Sequence, residues 1–140
     1  MVFGLGWLVL SGDSLRTQTT SLRNGLHLYG QSPQAEQIGQ EYLVFMVKED
    51  KIVGAVYLPS SEFSCFRGTI NGGVLNLAIL DPYENATYTH SIALKPSSPV
   101  AANGSAGQEI GLDGYYSIDK ISNNDRRILR TCLSKFGGGR

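Results

Sequence analysis

The stretch from Gly54 to Phe66 constrains the fold more than any other, because it joins two apolar runs through a proline corner. The run Ile52–Leu58 has the β-branched and aromatic composition of a strand, and it stops at Pro59. Proline has no backbone N–H to give to a strand ladder, so the strand has to end there. Two serines follow, and a second strand-like run begins at Phe63. The stretch therefore predicts a corner between two strands.

Two β-hairpins are predicted around this corner. The run Tyr42–Val47 is apolar at every position, which is typical of a strand covered on both faces, and a charged turn separates it from Ile52–Leu58. Phe63–Ile70 and Val74–Leu80 flank the turn Asn71–Gly73. An Asn-Gly pair tolerates the positive φ angles of a primed hairpin turn. These four runs are therefore expected to form two consecutive antiparallel hairpins.

Shorter strand signals lie on both sides of the hairpins. Leu26–Tyr29 ends at a glycine, Thr87–Leu94 alternates with a period of two, and 115–121 is short and extended. The segment 96–114 is rich in Ser, Ala, Gly and Pro, and it is predicted to be a mobile loop. Gly54 and Ala55 are small for the centre of a strand, which indicates a close-packed neighbour, a bulge or a barrel bend.

A single amphipathic helix is predicted at the C-terminal end. Ser122 and Asp125 have the spacing of a capping box, in which each side chain binds the backbone N–H of the other residue. Gly137 is suited to the position just after the helix. Five apolar residues fall on one stripe of this helix: Ile128, Leu129, Cys132, Leu133 and Phe136. The predicted fold class is mainly β (α+β), an antiparallel sheet or small barrel of about five to seven strands with one C-terminal packing helix.

One domain with a short segment at each end is expected from 140 residues. We predict an N-terminal apolar segment and polar connector over 1–25, a β-rich domain with its helix over 26–136, and a flexible tail over 137–140. The apolar run Val2–Leu10 is far shorter than the roughly 20 residues that cross a bilayer, so no transmembrane span is predicted. It also lacks the basic start of a signal peptide. An extra strand, a remnant of a targeting segment and a partner-contacting tail remain open interpretations.

The distribution of charge suggests a partner surface on the helix. The chain has 12 basic and 12 acidic residues, so nothing in its net charge directs it to nucleic acid or to an anionic membrane. From residue 119 onward, however, the sequence contains six basic side chains and only two acidic ones. Arg126, Arg127 and Arg130 are the candidate docking residues for a protein with an acidic surface, and a solvated helix face is the alternative. Nucleic-acid binding is not predicted, because aromatic residues are not interleaved with these cations.

The two cysteines are candidates for a disulfide. Cys65 lies in a predicted strand, and Cys132 lies on the apolar stripe of the helix that should cover the sheet. A bridge between them would hold the helix on the strands and would imply an oxidising compartment. Two reduced, buried thiols are the other interpretation, since two cysteines define a pair but not a geometry.

Catalytic and cofactor signals are weak. His27, His90 and the two cysteines lack the spacing of zinc ligands, so no metal or other cofactor is predicted. Ser60 or Ser61 with His90 would be the parts of a serine hydrolase, which we keep as a remote alternative. The carboxylates of Asp81 and Glu84 flank a turn, where such side chains are usually solvated. No catalytic residues are therefore assigned.

Four segments of the chain resemble a group of uncharacterised cyanobacterial proteins. They are Leu28–Pro33, Gln40–Phe45, Gly54–Phe66 and Asn124–Leu129. The resemblance covers about residues 26 to 136, whereas the N-terminal run and the 96–114 segment depart from what the group leads us to expect. It implies the context of a photosynthetic prokaryote or a plastid. No activity is assigned to the group, so it implies no catalytic residue.

Taken as they stand, these features predict a non-enzymatic interaction or accessory module. An oxidising extracytoplasmic space, a periplasm or a thylakoid lumen, is the expected location, with the cytoplasm as the alternative. A second function stays open, because strands that are apolar on both faces and contain the small Gly54 and Ala55 would leave room for an apolar small molecule inside a barrel.

Overall fold

The computed structural model describes residues 22–83, 85–96 and 110–136, which form eight β-strands and one α-helix. The strands are β1 (Gly25–Gly30), β2 (Tyr42–Lys48), β3 (Lys51–Tyr57), β4 (Phe63–Asn71), β5 (Val74–Leu80), β6 (Thr87–Pro96), β7 (Ile110–Leu112) and β8 (Tyr116–Ser117). The helix α1 spans Asn123–Lys135.

All eight strands belong to one antiparallel sheet in the order β7-β6-β5-β4-β3-β2-β1-β8. The two end strands, β7 and β8, contact each other, so the sheet curls into a nearly closed barrel. The mainly β class and the C-terminal helix are confirmed, but the predicted number of strands is too low. The unexpected strand is β7, which lies in the segment 96–114 that we predicted to be a loop. The predictions for residues 97–109, for the tail 137–140 and for the run Val2–Leu10 fall outside the described residues.

The sheet has a core on each of its two faces. Inside the barrel, buried side chains from β1 to β7 pack together around Phe45 and Phe66, which are fully buried. On the outside, α1 packs against β2, β3 and β4 and buries a second cluster that includes Tyr42, Val44 and Ile128. The continuous apolar composition of β2 follows directly, since its successive side chains point into the two different cores.

Gly54 marks a close approach of β3 to β2. A Cβ atom built on Gly54 would lie 2.3 Å from both the Phe45 Cβ and the Val44 carbonyl oxygen. Such distances are far inside van der Waals contact, so no larger residue fits without movement of the backbone. Of the three sequence interpretations of this glycine, the structure supports the close-packed neighbour.

The predicted capping box is present at the start of α1. Ser122 is the N-cap residue, and its hydroxyl accepts a hydrogen bond from the Asp125 N–H at 3.0 Å. In return, the Asp125 carboxylate accepts hydrogen bonds from the Ser122 backbone N–H and hydroxyl. The helix ends with Phe136 as its C-cap, whereas Gly137 lies outside the described residues. Within the described part of the chain, no helix has the length and apolar character needed to cross a membrane.

Candidate functional site

The structure brings Cys65 and Cys132 together as a disulfide with an S–S distance of 1.99 Å and a Cα–Cα distance of 5.3 Å. Both residues are buried at the contact between β4 and α1. Because the bridge joins residues 67 positions apart, it ties the helix covalently to a strand that is distant in sequence. It therefore limits movement of α1 relative to the sheet.

A second attachment holds the start of α1. Asp125 is only 2% exposed, and its Oδ1 atom accepts a short hydrogen bond from the hydroxyl of Tyr57 in β3. Its Oδ2 atom accepts hydrogen bonds from the backbone N–H and the hydroxyl of the N-cap residue Ser122. Burial, and then the hydrogen bond to Asp125, raise the pKa of Tyr57 well above its ordinary value. One carboxylate thus both caps the helix and fixes it to the barrel.

Replacing Asp125 with Ala is expected to lower the free energy of unfolding by about 2–3 kcal/mol, because a hydrogen-bonded carboxylate is lost and the Tyr57 hydroxyl is left without its partner. Urea unfolding followed by circular dichroism measures the change. The control is Asn123→Ala, an exposed position in the same turn, with an expected change within about 0.5 kcal/mol. Equal losses in the two variants would contradict the proposed attachment.

The solvent-exposed surface of α1 is basic. Arg126, Arg127, Arg130 and Lys135, together called the basic face, are all exposed. The Arg127 guanidinium donates hydrogen bonds to the Asn124 side-chain oxygen at 2.6 and 3.2 Å. Among the described residues, Arg126 and Arg130 have no carboxylate within ion-pair distance. Two of the three predicted docking residues are therefore free to pair with a carboxylate of another molecule.

Two open clefts lie beside α1. The first, called the corner cleft, has a volume of about 670 Å³ and lies between α1 and the Pro59–Glu62 turn. Its lining mixes acidic residues, among them Glu62 and Asp81, with the cations Arg127 and Lys135. Cys65 also lines it, so the disulfide borders this cleft. Because both signs of charge are present, the corner cleft has no clear preference for a charged ligand.

The second cleft, called the sheet cleft, has a volume of about 710 Å³ and lies on the outer face of β3 to β6. Its lining contains the cations Lys51 and Arg67 but, among the described residues, no carboxylate. Phe136, at the end of α1, also lines it, and the Arg67 guanidinium lies over the Phe136 ring at 5.2 Å from its centroid. The rest of the lining is mixed. Its polar members are Thr69, Asn76, Thr89, His90 and Ser91, and its apolar members include Ile52, Val53, Leu77 and Ala78.

The remaining candidates from the sequence are dispersed. Ser60 and Ser61 line the corner cleft, whereas His90 lines the sheet cleft, so the parts of a hydrolase are not brought together in either. His27 stacks on Phe45, and burial lowers its pKa below the ordinary value. Within the described residues, no group of three or more His, Cys, Asp or Glu side chains converges on a point that could hold a metal ion.

The alternative function, carrying an apolar ligand, would need space inside the barrel. Its inward-facing side chains pack against one another, and Leu43, Phe45, Phe66 and Leu75 are at most 2% exposed. The sheet cleft and the corner cleft lie on the outside. These two clefts are therefore surface clefts, and apolar as well as polar side chains line the sheet cleft.

Sequence reasoning missed the sheet cleft as a site. Its polar residues come from three different strands, and the registers place Thr69 opposite Asn76, and Asn76 opposite Ser91. The one signal in the sequence was the polar alternation of Thr87, Thr89 and Ser91, which indicated an exposed strand face. That signal could not identify which neighbouring side chains shared the face.

No family model matches the chain, and neither a curated protein nor a solved structure is significantly similar to it. The resemblance to the cyanobacterial group therefore stays a prediction, and the function has to be argued from the geometry alone.

Proposed function

We propose that this protein is a non-enzymatic interaction module that binds the acidic surface of a partner protein with the basic face of α1. The observation that supports this most directly is the combination of free cations with a fixed helix. Arg126 and Arg130 project from a helix that is held by the Cys65–Cys132 disulfide and by the hydrogen bond between Tyr57 and Asp125.

The fixed helix matters because binding costs conformational entropy. Its backbone is ordered before the partner arrives, so only the arginine side chains have to be immobilised on binding. A guanidinium group also offers a planar pair of donors that fits a carboxylate, which favours arginine over lysine for this role. Three arginines within five residues of one helix therefore suit a cluster of Asp or Glu side chains on a partner.

The disulfide also supports a proposed location. Structural disulfides form and persist mainly in oxidising compartments, so we place the protein in an extracytoplasmic space. A periplasm or thylakoid lumen of a photosynthetic prokaryote is the specific form of this proposal, and it rests on the resemblance of the four sequence segments.

Reversing two charges of the basic face tests the proposal. A glutamate-rich peptide is titrated into the full-length protein, and its affinity is measured by fluorescence anisotropy at low and at physiological salt. The variant Arg126→Glu/Arg130→Glu is expected to bind at least about tenfold more weakly, which corresponds to about 1.4 kcal/mol. Binding by the unchanged protein should also weaken as salt rises, because exposed charges are screened.

The matched control is Lys48→Glu/Lys95→Glu, which reverses two exposed cations on β2 and β6 and changes the net charge by the same amount as the helix variant. This control should lose less than about threefold in affinity. An equal loss in the control and in the helix variant would show that only net charge matters, and it would contradict docking on the basic face. Absence of peptide binding by the unchanged protein would contradict it as well.

A further inference from the structure

We infer that the sheet cleft is a binding site for an acidic oligosaccharide, that is, a short chain of sugar rings with carboxylate groups. This site is separate from the basic face of α1, and the inference does not depend on the proposed docking of a protein. It rests on the charges, the polar side chains and the strand pairing of the cleft.

The charges of the sheet cleft favour an anion. Lys51 and Arg67 are exposed, and the described part of the lining contains no carboxylate that would neutralise them. They lie on neighbouring strands and on the same outer face, because Lys51 pairs with Thr69 and Val53 pairs with Arg67. This makes the two cations diagonal neighbours, within about 7–8 Å at their Cα atoms. One carboxylate, or two on adjacent rings, can contact both.

Arg67 also makes a contact that favours one placement of its side chain before any ligand binds. Its guanidinium group lies over the Phe136 ring, at 5.2 Å from the centroid, and a cation in that position is attracted by the face of the ring. A guanidinium that is already in place loses less entropy when it pairs with a carboxylate.

The neutral side chains supply hydrogen-bonding groups in a row. Thr69, Asn76 and Ser91 lie directly opposite one another on β4, β5 and β6, and all three are exposed. The Ser91 hydroxyl donates a hydrogen bond to the Asn76 side-chain oxygen at 3.1 Å, which orients both groups. Hydroxyl and amide groups both donate and accept, so a row of them matches the hydroxyl groups of a sugar ring. Thr89 adds another hydroxyl on the same face.

Strand pairing favours a sugar over an extended acidic peptide. Peptides that bind to sheets usually add a strand at an open edge, where unpaired backbone groups provide affinity. In the sheet cleft, β4 pairs with β3 and β5, and β5 pairs with β4 and β6, so these backbone groups are already used. Recognition therefore has to come from side chains. The volume of about 710 Å³ lies in the usual range for small-molecule sites and can hold a few sugar rings.

Isothermal titration of the full-length protein with tri-galacturonate tests the inference, with the neutral trisaccharide of galactose as the comparison ligand. We expect saturable binding of the acidic trisaccharide and at least tenfold weaker binding of the neutral one. Arg67→Gln/Lys51→Gln should weaken binding of the acidic trisaccharide at least tenfold, and Ser91→Ala should weaken it severalfold. All three substituted residues are exposed, and urea unfolding of each variant establishes that the fold is retained.

The helix variant Arg126→Glu/Arg130→Glu separates the two sites. It should bind tri-galacturonate within about twofold of the unchanged protein, even where it loses the glutamate-rich peptide. The inference is overturned if the acidic trisaccharide does not bind, if the neutral trisaccharide binds equally well, or if Arg67→Gln/Lys51→Gln changes nothing. A fourth outcome also overturns it: the glutamate-rich peptide displaces the sugar, and the peptide loses affinity in Arg67→Gln/Lys51→Gln. The sheet cleft would then be a binding site for acidic peptides.

Discussion

Replacing Gly54 with Ala should lower the free energy of unfolding by about 3 kcal/mol, a large effect for the addition of one methyl group. The added Cβ would lie 2.3 Å from the Val44 carbonyl oxygen and the Phe45 Cβ in the neighbouring strand. Neither atom is the end of a flexible side chain, so β3 has to move away from β2. That movement disturbs the two cores that these strands separate. Urea unfolding of the purified variant measures the loss.

The control for this prediction is Gly39→Ala. Gly39 has a φ angle of +85°, and a Cβ there would meet no atom within 4 Å. Its expected cost is therefore only that of a left-handed backbone, about 1–2 kcal/mol. If Gly54→Ala cost no more than Gly39→Ala, the close approach of β3 to β2 would not be a determinant of stability.

Removing the disulfide is the second change with a large expected effect. The double variant Cys65→Ala/Cys132→Ala should be less stable by about 4 kcal/mol, because the bridge closes a loop of 67 residues and restricts the unfolded chain. A thiol reductant should lower the urea midpoint of the unchanged protein to about that of the double variant, and it should leave the midpoint of the variant unaffected. A midpoint that does not move when the unchanged protein is reduced would show that the bridge does not hold α1 to the sheet.

The strands and the helix could largely be predicted from local sequence. Tyr42–Val47 is apolar on both faces because it separates two cores. The hairpin turn lies where it was predicted, but its positive φ angles fall on Gly72 and Gly73 and not on the Asn71-Gly72 pair. β7 was missed because three residues in a segment rich in glycine and serine carry no periodic signal. The sequence left an open sheet and a small barrel as alternatives, because closure depends on contact between the short strands β7 and β8.

Among the candidate sites, too, local sequence predicted some features, and contacts between distant residues determined the others. The arginines of α1 were recognisable because helical spacing alone places them on one face. The hydrogen bond between Tyr57 and Asp125 spans 68 residues, so no local pattern reports it. The sheet cleft was hidden for a similar reason, because the alignment of Thr69, Asn76 and Ser91 depends on the registers of three strands.

The central claim, that the basic face of α1 binds an acidic protein surface, is tested most directly by nuclear magnetic resonance. The backbone amides of the full-length, oxidised protein are observed while the glutamate-rich peptide is added. We expect the largest chemical-shift changes on the exposed residues of Asn123–Lys135, including Arg126 and Arg130, and we expect these changes to diminish at high salt. Changes confined to the sheet cleft, changes spread evenly over all exposed cations, or no changes at all would contradict the claim.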